Sequence, residues 1–282
     1  MTAVRIRIDL AYDGTDFHGW ATQPGLRTVQ GELQAALTTA FRLSEPLRVT
    51  CAGRTDTGVH ARGQVVHVDV DDAVVATGTG RSAQPPLDAL VRRLNGMLPA
   101  DVRVHRASEA APGFDARFSA LWRRYAYRIA DAPAAYDPLR RHHVLHWPRP
   151  LDLSLMNVAA VDLIGLHDFA GFCKAREGAT TIRTIQTLVW ERDETGVAVA
   201  RVVADAFCHG MVRALVGCLL AIGEGRKEIG WAREVLGHPI RTSAVHAASP
   251  RGLTLEEVGY PADAELEARA EQTRAKREAI DE

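Results

Sequence analysis

One run of residues concentrates the groups that could do chemistry: Ala52-Gly53-Arg54-Thr55-Asp56-Thr57-Gly58-Val59-His60. Gly53 and Gly58 bracket it, which permits a tight turn and close approach of backbone to a ligand. In an extended loop Arg54 and Asp56 fall on the same side. A guanidinium beside a carboxylate lowers its pKa and keeps it ionised at neutral pH. Such a carboxylate suits a nucleophile or a general base, not a general acid. A glycine-rich turn with a local Arg–Asp pair accounts for the same residues without any chemistry, and spacing alone leaves both open. Asp56-Thr57-Gly58 is also the D-T-G triplet of aspartic proteases. Those enzymes need two carboxylates sharing a proton, which an arginine-paired carboxylate would spoil.

The elements that must position this run alternate between strand and helix periods. Arg5 to Tyr12 alternates polar and apolar residues, as a half-buried strand does. Val29, Leu33, Ala36, Leu37, Ala40 and Phe41 form one helical stripe, with Thr28 as N-cap. Leu47 to Ala52 reads as a strand running into the Asp56 loop, and Gln64 to Val70 as another, with Val66, Val68 and Val70 on one face. A Thr/Gly/Ser-rich insert (77–83) ends at Pro85-Pro86. A helix follows with Leu87, Leu90, Val91 and Leu94 at helical spacing, then the strand Val102 to His105. That order, β-α-β-β-α-β, predicts a ferredoxin-like unit.

The second half nearly repeats it: a strand from Arg124 to Ile129, a helix from Leu153 to Ile164, a hairpin around Thr195-Gly196, an apolar helix from His209 to Ile222, and a last strand near Leu253 to Val258. The expected fold is therefore α+β. Two ferredoxin-like halves form one extended, mainly antiparallel sheet with helices packed on one face. The expected boundaries are 1–110 for the half carrying the Asp56 loop, 111–262 for the second half, and 263–282 for a solvated, charged tail.

Composition narrows the function classes. Of 282 residues, 46% are hydrophobic and 24% charged, as in ordinary globular proteins. No apolar run approaches a membrane span and the first residues lack a signal-peptide core, which predicts a cytoplasmic, soluble protein. Cys51, Cys173, Cys208 and Cys218 lie far apart with no Cys-x-x-Cys pair, so neither a zinc ribbon nor a disulfide framework is expected. His142, His143 and His146 cluster without an acid or thiol in ligand spacing, and no metal is predicted. The net charge of −1 conceals an uneven distribution. Between Arg117 and Arg149 seven arginines face two aspartates, a local +5, whereas 263–282 holds seven acids and four bases, a local −3. A basic middle of this kind suits contact with nucleic-acid phosphates, although a solvated surface has the same composition.

Several segments in order resemble the tRNA pseudouridine synthase A (TruA) family. They are Tyr12-Asp13-Gly14, Gly19-Trp20, Thr28-Val29-Gln30-Gly31, the run Ala52 to Ala61 with Gly63-Gln64-Val65-Val66, Asn95 with Leu98-Pro99, Phe114 with Ala116 to Ala120, Arg124-Tyr125-Ala126-Tyr127, and Met211-Val212-Arg213. The resemblance implies an isomerase that converts uridine to pseudouridine in the tRNA anticodon stem–loop, at the positions called 38, 39 and 40, without cofactor or metal. It implies that Asp56 is the essential carboxylate and that Arg213 is its buried ion-pair partner. Tyr125 matches the family's active-site tyrosine. A base taken out of its stack wants an aromatic platform, and the Tyr125 hydroxyl is a candidate relay for the C5 proton. The other reading of Tyr125 is a core tyrosine beside Tyr127. Arg54, Arg123, Arg124 and His209 are the expected substrate contacts, with Arg140, Arg141 and the neighbouring histidines as further phosphate contacts. The family also implies a homodimer in which each tRNA spans both subunits. The sequence departs from the usual pattern at Ala21, Thr57, Gly210 and Thr254, none of which removes the carboxylate, the tyrosine or the arginine.

Overall fold

A computed structural model describes residues 3–78, 84–174 and 180–275. The fold is mixed α+β. In chain order it comprises β1 (Ala3–Tyr12), α1 (Val29–Phe41), β2 (Thr50–Cys51), β3 (His60–Asp71), α2 (Asp72–Gly78), α3 (Pro86–Met97), β4 (Val102–Glu109), β5 (Trp122–Ala130), β6 (Leu145–His146), α4 (Leu153–Val161), β7 (Gly165–Asp168), β8 (Ile182–Arg192), β9 (Ala198–Ala204), α5 (Met211–Gly223), α6 (Trp231–Leu236), β10 (Leu253–Gly259) and α7 (Leu266–Arg274). The chain divides into two compact units, Met1–Leu121 with Leu255–Ala275, and Trp122–Thr254. The division falls at 121/122 and 254/255, so the segment after Thr254 belongs with the first unit.

In the first unit the strands lie in the order β4-β1-β3, with β2 and β10 also on β3. β1 runs antiparallel to both β3 and β4, pairing Ile8 with Val66 and with Ala107. The period-two pattern explains the burial: Ile6, Ile8 and Leu10 are fully buried, as are Val66 and Val68 opposite them. α1 buries the expected stripe, Val29, Leu33, Ala36, Leu37, Ala40 and Phe41, and the Gly31 N–H donates to Thr28 Oγ1 at 3.3 Å. α3 starts with Pro86 in its first turn, where a missing N–H costs nothing. Asn95 on α3 clamps β4 from both sides, its Nδ2 donating to the Val104 carbonyl at 2.8 Å and its Oδ1 accepting from the Val104 N–H at 2.9 Å. β2 is shorter than the Leu47–Ala52 strand expected, and the predicted insert at 77–83 is helical through Gly78, with 79–83 outside the described residues.

The tail corrects an expectation. α7 is not a solvated helix: Leu266 and Ala270 are buried, and the Leu266 carbonyl accepts from the Ser119 hydroxyl at 3.1 Å. Arg274 lies over the Phe118 ring and pairs with Asp115 at 3.2 Å. The helix thus covers the Phe114–Ala120 segment of its own unit; 276–282 lie outside the described residues.

In the second unit the strands run β5-β9-β8-β7, all antiparallel, and β6 pairs parallel with β5. The hairpin expected around Thr195-Gly196 joins β8 to β9. Gly196 takes φ +80°, and Asp193 Oδ1 accepts from the Thr195 and Val197 N–H groups. α5 buries eleven of its thirteen residues and lies against α4 and α6. Its close packing depends on small residues: a Cβ on Gly223 would lie 2.5 Å from Met156 Sδ, and one on Gly217 would lie 1.8 Å from the His246 carbonyl oxygen. Cys173 and Cys208, expected apart, are joined as a disulfide with Cα atoms 5.7 Å apart. Their separation of 35 residues in the chain concealed the approach, because β8 and β9 lie between them and fold back as a hairpin.

Candidate active site

Asp56 lies where the chain leaving β2 turns into β3. Its carbonyl accepts from the Val59 N–H at 3.1 Å, closing a β-turn in which Gly58 adopts φ +76°. That left-handed position is where glycine is favoured. Thr55 is buried, Asp56 half-buried and Arg54 exposed.

The segments that hold this turn are distant in the chain. From above, Gly14 donates its N–H to His60 Nδ1 at 3.0 Å, and a Cβ there would sit 2.0 Å from the Val59 carbonyl oxygen. Gly19, at φ +89°, passes so close that a Cβ would lie 3.0 Å from the Thr55 carbonyl oxygen. Trp20 donates its N–H to that same oxygen at 3.0 Å, and Gly58 donates to the Phe17 carbonyl at 3.2 Å. The first turn of α1 then secures the Gly19-Trp20 backbone, the N–H groups of Val29 and Gln30 donating to their carbonyls at 3.3 and 3.0 Å. Those N–H groups have no partner within a helix, so the turn and the helix satisfy one another. From below, the Tyr12 hydroxyl meets Thr55 Oγ1 at 2.8 Å, and Gln64 Nε2 donates to the Gly53 carbonyl at 2.7 Å. A carboxylate-bearing residue on a turn pinned from both sides has the fixed geometry that a nucleophile or base requires.

In the second unit Arg123, Arg124 and Tyr125 are consecutive on β5. Tyr125 pairs with Val202 on β9, is 7% exposed, and lies edge-on to Phe207 with ring centroids 5.1 Å apart. Arg123 is also 7% exposed and donates Nη1 to the Asp205 carbonyl at 2.7 Å, whereas Arg124 is half-buried. Phe207 opens the segment that leads into α5. His209 follows, exposed, its carbonyl accepting from the Lys174 N–H at 3.0 Å, and Gly210 turns the chain at φ +74°. Arg213 lies in the first turn of α5. Its Nε donates to the Ala248 carbonyl at 2.7 Å, and its own carbonyl accepts from the Ala248 N–H at 2.8 Å. The unit therefore gathers Tyr125, His209 and Arg213 onto one strand and one adjoining helix start.

Further along, His146 is exposed and stacks on Tyr136 with ring centroids 4.3 Å apart and planes nearly parallel, while Arg140 reaches Asp193 at 3.2 Å and Thr195 Oγ1 at 2.8 Å. Sequence reasoning passed over Phe207, Tyr12, Thr55 and Gln64 as site residues. Tyr12 and Gln64 stood in motif segments, but nothing in their spacing shows that they converge beneath one turn.

Comparison with known proteins identifies the family. Residues 10–119 and 159–261 match the family described as tRNA pseudouridine synthase. A protein of Streptomyces griseus called tRNA pseudouridine synthase A is 58% identical over 96% of this chain and 93% of its own length. Proteins of the same name from Leifsonia xyli and Mycobacterium leprae are 57% and 52% identical, covering 98% and 96% of this chain and 98% and 94% of their own lengths. The matched segments contain the Asp56 turn with every residue that pins it, and the start of α5. This chain belongs to the tRNA pseudouridine synthase family.

Proposed function

We propose that this chain isomerises uridine to pseudouridine in the anticodon stem–loop of tRNA, at positions 38, 39 and 40, with Asp56 as its essential carboxylate. The observation that carries the reading is the Asp56 turn: its backbone is hydrogen-bonded to Phe17, Trp20 and Gln64, while Asp56 itself stays half-exposed. The reaction breaks the N1–C1′ bond, turns the uracil and joins C1′ to C5. The C5 proton leaves and N1 regains one, so the change is an isomerisation and consumes no co-reactant. Asp56 attacks or assists at the sugar or the base. Arg213, anchored at Ala248, orients and balances that carboxylate; Tyr125 stacks on the flipped uracil and relays the C5 proton.

Arg54, Arg124 and His209 are placed at the RNA in this reading. Arg123 joins them least readily, because its guanidinium is buried. Each half is a ferredoxin-like unit, supported in the first by its β-α-β-β-α-α-β chain order, which adds the short α2 to the expected pattern, and one extended sheet with helices along one face belongs to the same reading. The enzyme is proposed to act as a cytoplasmic homodimer. No helix among the described residues is long and apolar enough to cross a membrane.

The test is tritium release from tRNA carrying C5-tritiated uridine. The wild type should release label, and Asp56→Asn, which keeps the shape and loses the charge, should release it at least a thousand-fold more slowly, roughly 4 kcal/mol of barrier. A silent wild type, or a mutant that matches it, sinks the reading.

A further inference from the structure

We propose that Gln64 and Tyr12 are positioning residues for Asp56, acting through Thr55 along a buried chain of hydrogen bonds. The inference rests on the reading that Asp56 acts on uridine, and adds residues to which no role in the reaction has been given above. Gln64 is fully buried, Tyr12 is 4% exposed and Thr55 is 6% exposed, so water does not substitute for a lost partner.

The orientation of the Gln64 amide follows from donor and acceptor chemistry. The Gly53 carbonyl can only accept, and it lies 2.7 Å from Gln64 Nε2; the Val65 N–H can only donate, and it meets Gln64 Oε1 at 3.2 Å. These two bonds fix which way the amide faces. The second Nε2 hydrogen goes to the Tyr12 oxygen at 3.2 Å. The Tyr12 and Thr55 hydroxyls then share a hydrogen bond at 2.8 Å, in which either oxygen can donate. Gln64 therefore holds the Gly53 carbonyl directly and the Thr55 side chain through Tyr12. Those are the residues three and one before Asp56. With Trp20 holding the Thr55 carbonyl at 3.0 Å, Thr55 is gripped by side chain and main chain together. Any slackening at Thr55 passes straight to the neighbouring carboxylate, and small misplacements of a reacting group cost about a hundred-fold in rate.

The experiment measures tritium release, KM for tRNA and thermal unfolding for the full chain and five variants. Tyr12→Phe and Thr55→Val each remove one hydroxyl and should lower kcat between about ten- and a hundred-fold, with KM within about two-fold of the wild type. Thr55→Ser keeps the hydroxyl and should restore most of kcat. Gln64→Glu replaces a donor by a carboxylate that faces the Gly53 carbonyl. Its activity should fall where that group ionises and recover as pH is lowered, a pH limb that the wild type lacks. Should Thr55→Val or Gln64→Glu fail to fold, Tyr12→Phe, which deletes one oxygen, carries the test. The proposal is overturned if Tyr12→Phe keeps wild-type kcat, or loses activity only in step with its folded fraction. Asp56→Asn is the control on the underlying reading. If the wild type is silent or Asp56→Asn matches it, that reading falls and takes this one with it.

Discussion

Tyr125 and Tyr127 occupy one face of β5, two residues apart, yet their surroundings differ. Tyr127 is fully buried and donates its hydroxyl to the Ser249 carbonyl at 2.7 Å. Burial pushes its phenol well above the usual range, with the nearby Arg213 charge pulling the other way. It is a core residue whose proton is committed. Tyr127→Phe leaves the Ser249 carbonyl unpaired and should cost about 1–2 kcal/mol, seen as a lower unfolding temperature. Tyr125 instead lies edge-on to Phe207 at the entry to α5. Tyr125→Phe keeps the ring and loses the hydroxyl, so proton release from C5 should slow while tRNA binding holds. Tyr125→Ala also loses the stacking surface, worth about 1–3 kcal/mol per base. Single-turnover tritium release beside a binding titration separates the two, and equal rates for Tyr125→Phe and wild type would remove the relay role.

At the scale of elements, α5 is placed by what approaches it rather than by its caps. Gly210 offers no side-chain cap, but Gly217 lets the segment at His246 press against the helix, and that segment continues to Ala248, which holds Arg213 at both Nε and the carbonyl. A methyl at Gly217 would strike backbone, which cannot swing aside as a side chain does. Gly217→Ala should therefore cost about 1–3 kcal/mol and loosen Arg213 as well, a combined loss of stability and kcat. α7 makes a different point. Removing the Leu266 side chain should cost about 2–3 kcal/mol, because its burial beside Ser119 is nearly complete. Denaturant titration of Leu266→Ala would show it, and an unchanged midpoint would mean that the helix does not stabilise its unit.

For the whole molecule, the sum of charges says little about its pH response, whereas one buried imidazole says more. Burial lowers the His67 pKa, the Arg5 charge adds to that, and Asp115 and Asp69 oppose it. Its Nδ1 accepts from the Ala116 N–H at 3.0 Å, which requires the unprotonated ring. The unfolded chain takes up this proton near the ordinary value of about 6.5, and the folded protein only at lower pH. Stability is thus fully present above that value and declines as pH falls through the gap between the two. His67→Gln should flatten the decline of unfolding temperature as pH falls below about 6.5, relative to wild type; identical slopes would refute it. The Asp131–Arg192 pair works lower on the scale. Burial would raise the Asp131 pKa, but the Arg192 hydrogen bond and the Leu151 N–H together hold it below the ordinary carboxylate value, so its contribution is lost only in stronger acid. The basic stretch from Arg117 to Arg149 predicts that tRNA affinity weakens steeply with salt. A log–log slope near zero would argue against phosphate contacts there.

The amino-acid sequence by itself determined the α1 stripe, the Thr28 cap, the strand and helix order of the first unit apart from the short α2, the hairpin at Gly196 and the family, because period, capping chemistry and motif order are local or linear properties. It also singled out Asp56. What only the tertiary structure decided is how that residue is held. Gln64, Tyr12 and Thr55 become a chain only when β1, β2 and β3 lie side by side. Phe207 meets Tyr125 only through the β9 pairing and the turn that follows it. The turn that carries Asp56 is pinned by glycines and backbone that its own spacing does not show. The tail read from its charge as solvated is a docked helix, since Leu266 and Ala270 are too few to announce a buried face in sequence. Hydrogen bonds and close approaches join residues far apart in the chain, and no linear pattern encodes which of them will meet.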